Sequence, residues 1–168
     1  MPNQQFTQKK RGKPKSEYGQ QFQEKQDVKR SYELRETQFR NYFKAGATPE
    51  AVFQLLERRF DNVVYRAGFT NTRKFSRQLI SHGHFQVNGK NLNIPSYQVN
   101  VGDAITVHPS SLSSGPFKDM ALALSKYEPP MWIALDAKNL SFKMTSLPKA
   151  DDMLSAASIK PIIEFYSR

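Results

Sequence analysis

Arg58, Arg59, Arg66, Arg73, Lys74 and Arg77 crowd one short stretch of the chain in which Asp61 is the only acidic residue. The plain reading of such a run is a solvated helix face, but solvated faces ordinarily carry both signs. An excess of cations points to a polyanion. Arginine forks phosphate oxygens bidentately, and the free amides at a helix N-terminus, such as those following Asn71, also accept phosphate. Just downstream, Thr72, Gln78, Ser81, His82 and His84 offer small polar groups suited to ribose 2′-hydroxyls, the mark of RNA. The chemistry indicated is binding.

Other chemistries fare worse. His82-Gly83-His84 has neither a cysteine nor an acidic cluster beside it, which makes a poor metal pair. Asp151-Asp152 lacks a basic or histidine partner, so a solvated loop is the better reading. VNGK, residues 87–90, lacks the upstream glycine and the Ser/Thr of a phosphate-binding loop. All three histidines fall within residues 82–108 among basic residues, so no Ser–His–Asp arrangement can be argued. Trp132 follows two prolines and reads as core rather than as a stacking platform. No cysteine is present, which excludes disulfides and thiol catalysis and fits a reducing compartment. Neither a catalytic centre nor a cofactor is expected.

The charge is also organised. The 168 residues carry a net charge of +10 and an isoelectric point near 9.8. Residues 1–44 hold net +6, 45–57 hold −2, 58–108 hold +5 and 109–168 hold +1. Two basic regions on one small chain suggest two contacts with one large anion. The first includes an arm, residues 1–16, bearing Lys9, Lys10, Arg11, Lys13 and Lys15 and broken by Gly12 and Pro14. It is read as disordered when free. No apolar run approaches the length of a membrane span, and MPNQQFTQKKRGK has no apolar signal region, so no membrane partner and a cytoplasmic location are expected.

The elements that must position these groups follow from periodicity. Residues 17–44 read as two short helices with a kink near Ser31, a candidate cap for the second. Thr48-Pro49 is a strong helix start, and Phe53, Leu56, Phe60, Val63 and Ala67 form one buried stripe, predicting a helix over 49–67 that Gly68 ends. Asn71 is a candidate cap for a second helix over 72–81, with Phe75, Leu79 and Ile80 inward and Arg73 and Arg77 on an outer face. Gly83 ends it. His84–Val87 alternates as a strand, and Asn88-Gly89 is a strong hairpin signal. Pro95–Val99 reads as extended, Val101–Asp103 as a turn and Ala104–Val107 as a strand. Residues 110–116 are a break, 117–127 a short helix, and 131–147 contain strands. Residues 154–163 are only a weak segment.

At this point a resemblance emerges. FQLLERRFDNVVYRAGFTNTRKFSRQLISHGHFQVNGKNLNIPSYQVNVGDAITV, residues 53–107, resembles the RNA-binding module of the bacterial small-subunit ribosomal proteins of the S-four family. SEYGQQFQEKQDVKRSYELRETQFRNYF is similar to that family's helical first domain, and WIALDAKNLSFKMTSLP with IIEFYSR to its C-terminal segment. The resemblance covers residues 10–168. It implies a primary binder of small-subunit ribosomal RNA that holds a 5′-domain junction early in assembly. It also implies a neighbour of the S-five family, a place near where mRNA enters the subunit, and an effect on decoding accuracy. The RNA-facing positions it implies are Arg58, Arg59, Arg66, Thr72, Arg73, Arg77, Gln78, Ser81, His82 and His84, with Asn88 and Gly89 shaping the hairpin. Many relatives carry a longer segment ahead of the basic arm, in some with a metal-holding cysteine cluster. This chain has a shorter start and no cysteine, and bound zinc is not expected.

The resulting expectation is an α+β protein: a basic arm (1–16), a helical domain (17–57), an inserted RNA-binding module of two helices on a small, mostly antiparallel sheet (58–127), and a C-terminal segment (128–168) returning to the helical domain. The rival readings are an RNA-modifying enzyme of the pseudouridine synthase type, which needs a catalytic domain with a buried, partnered aspartate, and a free translational repressor.

Overall fold

The computed structural model describes residues 16–44, 47–149 and 159–167. The arm lysines and Arg11, Ala45-Gly46, Asp151-Asp152 and the start of the weak 154–163 segment lie outside the described residues.

Ser16 caps α1 (Glu17–Ser31) through a bond from Gly19 N, and a left-handed turn at Glu33 leads into α2 (Glu36–Arg40). The kink near Ser31 is thus present, but Arg35, not Ser31, starts α2. Thr48 caps α3 (Pro49–Glu57) by accepting from Ala51 N, as its sequence predicts.

The single helix expected over 49–67 is two. α3 ends at Glu57, and α4 (Phe60–Arg66) begins beyond Arg58-Arg59. The break is bought by residues 95–99: Phe60 N donates to the Tyr97 carbonyl, Asp61 N to that of Pro95, and Val99 N donates to the Arg58 carbonyl. These backbone partners lie some forty positions along the chain, so the 3.6-residue stripe continues through the interruption without revealing it. Arg59 and Gln98 form an isolated antiparallel bridge, which is all the strand character that segment has.

Gly68, with φ of +86°, ends α4, and Thr72 rather than Asn71 caps α5 (Arg73–Ser81), accepting from Phe75 N. Strands β1 (Phe85–Val87) and β2 (Lys90–Asn91) flank Asn88-Gly89, both with positive φ, in a two-residue turn of the type their sequence demands. β3 (Ala104–Val107) lies on the other side of β1. The helix expected over 117–127 is confined to α6 (Met120–Ser125), preceded by short 3-10 turns.

β4 (Ile133–Asp136) and β5 (Ser141–Met144) then depart from expectation. They do not return to the helical domain but extend the sheet, giving five antiparallel strands in the order β2-β1-β3-β5-β4. Phe142, Met144, Ile133 and Trp132 are buried in the same core as Phe60, Val63, Leu79, Phe85 and Ile105. Burying these side chains in that core is what draws the two strands onto the sheet. Among the described residues of the C-terminal segment, α7 (Ile159–Ser167) is the part that returns, packing on α1 and α3, where Ile159 and Ile162 join Val28, Phe39, Val52, Phe53 and Leu56 in a second core. The fold is therefore α+β, with a helical lobe (α1–α3, α7) and a sheet lobe (α4–α6, β1–β5). Trp132 is core, 1% exposed.

Candidate nucleic-acid interface

The six cations of the basic run divide into two groups. Five are turned to internal work. Arg59 forks the buried Asp61 (Nε–Oδ1 3.0 Å, Nη2–Oδ2 2.7 Å) and donates from Nη1 to the Tyr42 hydroxyl of the helical lobe. Arg77 donates to the same Asp61 (Nε–Oδ2 3.0 Å, Nη2–Oδ2 2.8 Å) and to the carbonyls of Glu33 and Tyr32. Arg66 forks Glu57, which is 0% exposed and also accepts from the Tyr32 hydroxyl and from Asn62 Nδ2. Arg73 donates to Asn62 Oδ1 and to the Ser31 carbonyl, its guanidinium stacked over the rings of Tyr32 and Tyr65 at 4.8 and 4.4 Å. Arg58 donates to the Val99 carbonyl and Asn100 Oδ1.

The structure thus corrects the expectation that Asp61 alone answers these cations and that Arg73 and Arg77 lie on an outer face. Glu57 and Asp61, four residues apart, are both buried and both fully committed. Buried carboxylates must be paired; Arg59, Arg66 and Arg77 supply the pairing, and Arg73 and Arg77 grip main-chain carbonyls of the opposite lobe. Burial, and next the adjacent Arg66, work against the charge on Arg73, and the faces of Tyr32 and Tyr65 help to offset this.

The outward edge of α5 remains. Lys74, Gln78, Ser81 and His82 are exposed, and their spacings of four, three and one place them on one stripe beside the N-cap Thr72. Among the described residues, Lys74, Gln78 and Ser81 make no side-chain hydrogen bond or ion pair. Phe75, expected inward, is instead 38% exposed next to this stripe. His84 is half-buried with Nδ1 2.9 Å from Ser111 Oγ. Burial first, then the neighbouring His82 and His108, hold it below the usual histidine range. The rings of His82 and His84 are 6.1 Å apart. Asn88 shapes the hairpin with its side chain as well as its φ: Nδ2 donates to Asp103 Oδ1 and Oδ1 accepts from Ala104 N.

The comparisons bear on this lobe directly. The family model described as S4 domain matches residues 58–105, and that described as ribosomal protein S4/S9 N-terminal domain matches residues 1–62. Small ribosomal subunit protein uS4 of Syntrophomonas wolfei is 45% identical over 164 residues, 95% of this chain and 78% of that protein. Its namesake in Caldicellulosiruptor saccharolyticus is 47% identical over 158 residues, 91% and 76% of the two chains. That of Chloroflexus aurantiacus is 45% identical over 160 residues, 91% and 78%. The chain belongs to the uS4 family of small ribosomal subunit proteins. The S4 domain match runs from Arg58 into β3, so it contains α4, α5, the hairpin and Arg58, Arg59, Arg66, Arg73 and Arg77. The first-domain match ends inside α4, so the two families meet across the Glu57–Asp61 cluster.

Sequence reasoning missed Glu57, Tyr32 and Asn62 as members of this cluster. The one available signal was the spacing of Glu57 and Asp61, one helical turn apart among arginines.

Proposed function

We propose that the chain is a structural constituent of the small ribosomal subunit that binds its ribosomal RNA through the α5 edge (Thr72, Lys74, Gln78, Ser81, His82), the nearby His84, the Asn88 hairpin and the basic arm Lys9, Lys10, Arg11, Lys13 and Lys15. The observation that carries this is the exposed edge of α5 within a matched S4 domain, where Lys74, Gln78 and Ser81 make no side-chain hydrogen bond or ion pair among the described residues. Such an edge suits backbone and 2′-hydroxyl contacts to folded RNA. Arg58, Arg59, Arg66, Arg73 and Arg77 act chiefly by holding the lobes at a fixed spacing, so that both surfaces meet one RNA. The family resemblance supports the finer parts of the reading: early assembly on a 5′-domain junction, an S-five neighbour, a position near incoming mRNA, and an effect on accuracy. No catalytic role is assigned.

Incubating the purified chain with small-subunit ribosomal RNA and mapping protected ribose positions tests this. Protection clustered at a multi-helix junction, weakened by Lys74→Ala with His82→Ala, is expected. Uniform or absent protection, or turnover of the RNA, would overturn it.

A further inference from the structure

A cleft of about 330 Å³ opens between the start of α5 and α6, lined by Phe69, Asn71, Phe75, Pro116, Asp119 and Met120 among others. That volume is at the small end of the roughly 300–1,000 Å³ found for ligand sites, enough for one flat aromatic group. Three features distinguish it. Phe75 follows the inward pattern of Leu79 and Ile80 by sequence, yet it is 38% exposed where they are 3% and 0%. Asp119 begins α6 without capping it and makes no ion pair or side-chain hydrogen bond among the described residues. Asn71, exposed and likewise unengaged, stands one residue from the N-cap Thr72, and Lys74 follows on the same turn.

An aromatic face, a carboxylate and an amide in one small cleft do not suit a phosphate, because Asp119 repels it. They suit the edge and face of a base whose phosphate stays outside, near Lys74. We propose that this cleft receives one unstacked base of the bound RNA, guanine preferred, stacked on Phe75. Guanine is the base with two adjacent donors, N1–H and N2–H₂, for a carboxylate, and an O6 acceptor for the Asn71 amide. The proposal rests on the RNA-binding reading above and deepens it.

The test uses the full chain. In Phe75→Trp, the new indole is exposed, whereas Trp132, 1% exposed, supplies a constant background. Titration with small-subunit ribosomal RNA is expected to quench the new emission. Short single-stranded oligoribonucleotides differing at one central base should quench most with guanine, and Asp119→Asn should remove that preference. Phe75→Ala should weaken binding of the ribosomal RNA roughly 5- to 150-fold, the range of base–aromatic stacking, with the salt slope and melting temperature unchanged. Wild-type binding with Phe75→Ala equal to it would overturn base capture and leave the general reading standing. No binding by the wild-type chain would overturn both. Quenching that appears only after other ribosomal proteins are added would mean that a protein segment fills the cleft, and would also overturn the proposal.

Discussion

Arg73, on α5, donates a 2.6 Å hydrogen bond from Nη1 to the Ser31 carbonyl at the end of α1, so a residue of the sheet lobe closes the last turn of a helix in the other. Arg77, one turn further along α5, repeats the move on Glu33 and Tyr32 while holding Asp61. The basic run, read as a surface, is in large part a seam.

Arg77→Ala should therefore destabilise the protein. Asp61, 1% exposed, would keep only Arg59 of its two arginines. Removing one partner from a buried pair costs roughly 3–5 kcal/mol, and partial exposure of Arg77 and the surviving Arg59 place the expectation at about 3 kcal/mol. A fall in the urea midpoint with unchanged slope would register it. An unaltered midpoint would show that the seam is decorative.

Glu36 ties α7 to α1 and α2. Burial alone would raise its carboxyl, but hydrogen bonds from Lys25, Tyr166 and Lys29 hold it down, to about 2 from an ordinary 4.5. A folded value below the unfolded one means that the contribution is whole above roughly pH 4.5 and is lost as pH falls toward 2. Wild type should exceed Glu36→Gln in stability at pH 7, and the gap should close near pH 2. A gap independent of pH would rule out the charge as its source.

Two glycines separate backbone strain from steric conflict. At Gly89, φ is +77° and a Cβ would meet nothing within 4 Å, so Gly89→Ala should cost only the left-handed penalty, about 1–2 kcal/mol. At Gly68, φ is +86° and a Cβ would lie 2.5 Å from the Tyr127 ring, whose hydroxyl donates to the Arg66 carbonyl. Gly68→Ala should cost more. Adding Tyr127→Ala should recover the steric part, so the double-mutant cycle should be non-additive at 68 and additive at 89.

What was legible in the sequence was local. Thr48-Pro49 and Asn88-Gly89 carry their own dihedral preferences, and both structures formed as read. Leu79 and Ile80 announced their burial by spacing. The α3–α4 break was not legible, because its cause is the distant 95–99 segment, and a helical stripe passes through it. The roles of Arg73 and Arg77 were hidden for a related reason: their acceptors at residues 31–33 are backbone carbonyls, which every residue possesses. Strands β4 and β5 were readable as strands, but nothing in SFKM says which sheet edge it will join.

The final prediction separates the seam from a phosphate contact at the same two arginines. Arg73→Lys with Arg77→Lys keeps both charges. If these side chains bind phosphate as point charges, affinity for RNA and its salt slope should scarcely change. If they hold the lobes, the ammonium loses the planar fork that engages Asn62 with Ser31, and Asp61 with Glu33, and the lobes loosen. The second contact with a folded RNA is then no longer presented at a fixed spacing, and part of an avidity gain worth about 10²–10⁴ is lost. Unstructured RNA, which can adjust to either spacing, should bind the variant and the wild type alike. The expected result is a selective loss for folded small-subunit ribosomal RNA at constant salt slope, read by filter binding of both RNAs across a salt series. Equal affinities for the folded RNA would return Arg73 and Arg77 to the list of simple phosphate contacts.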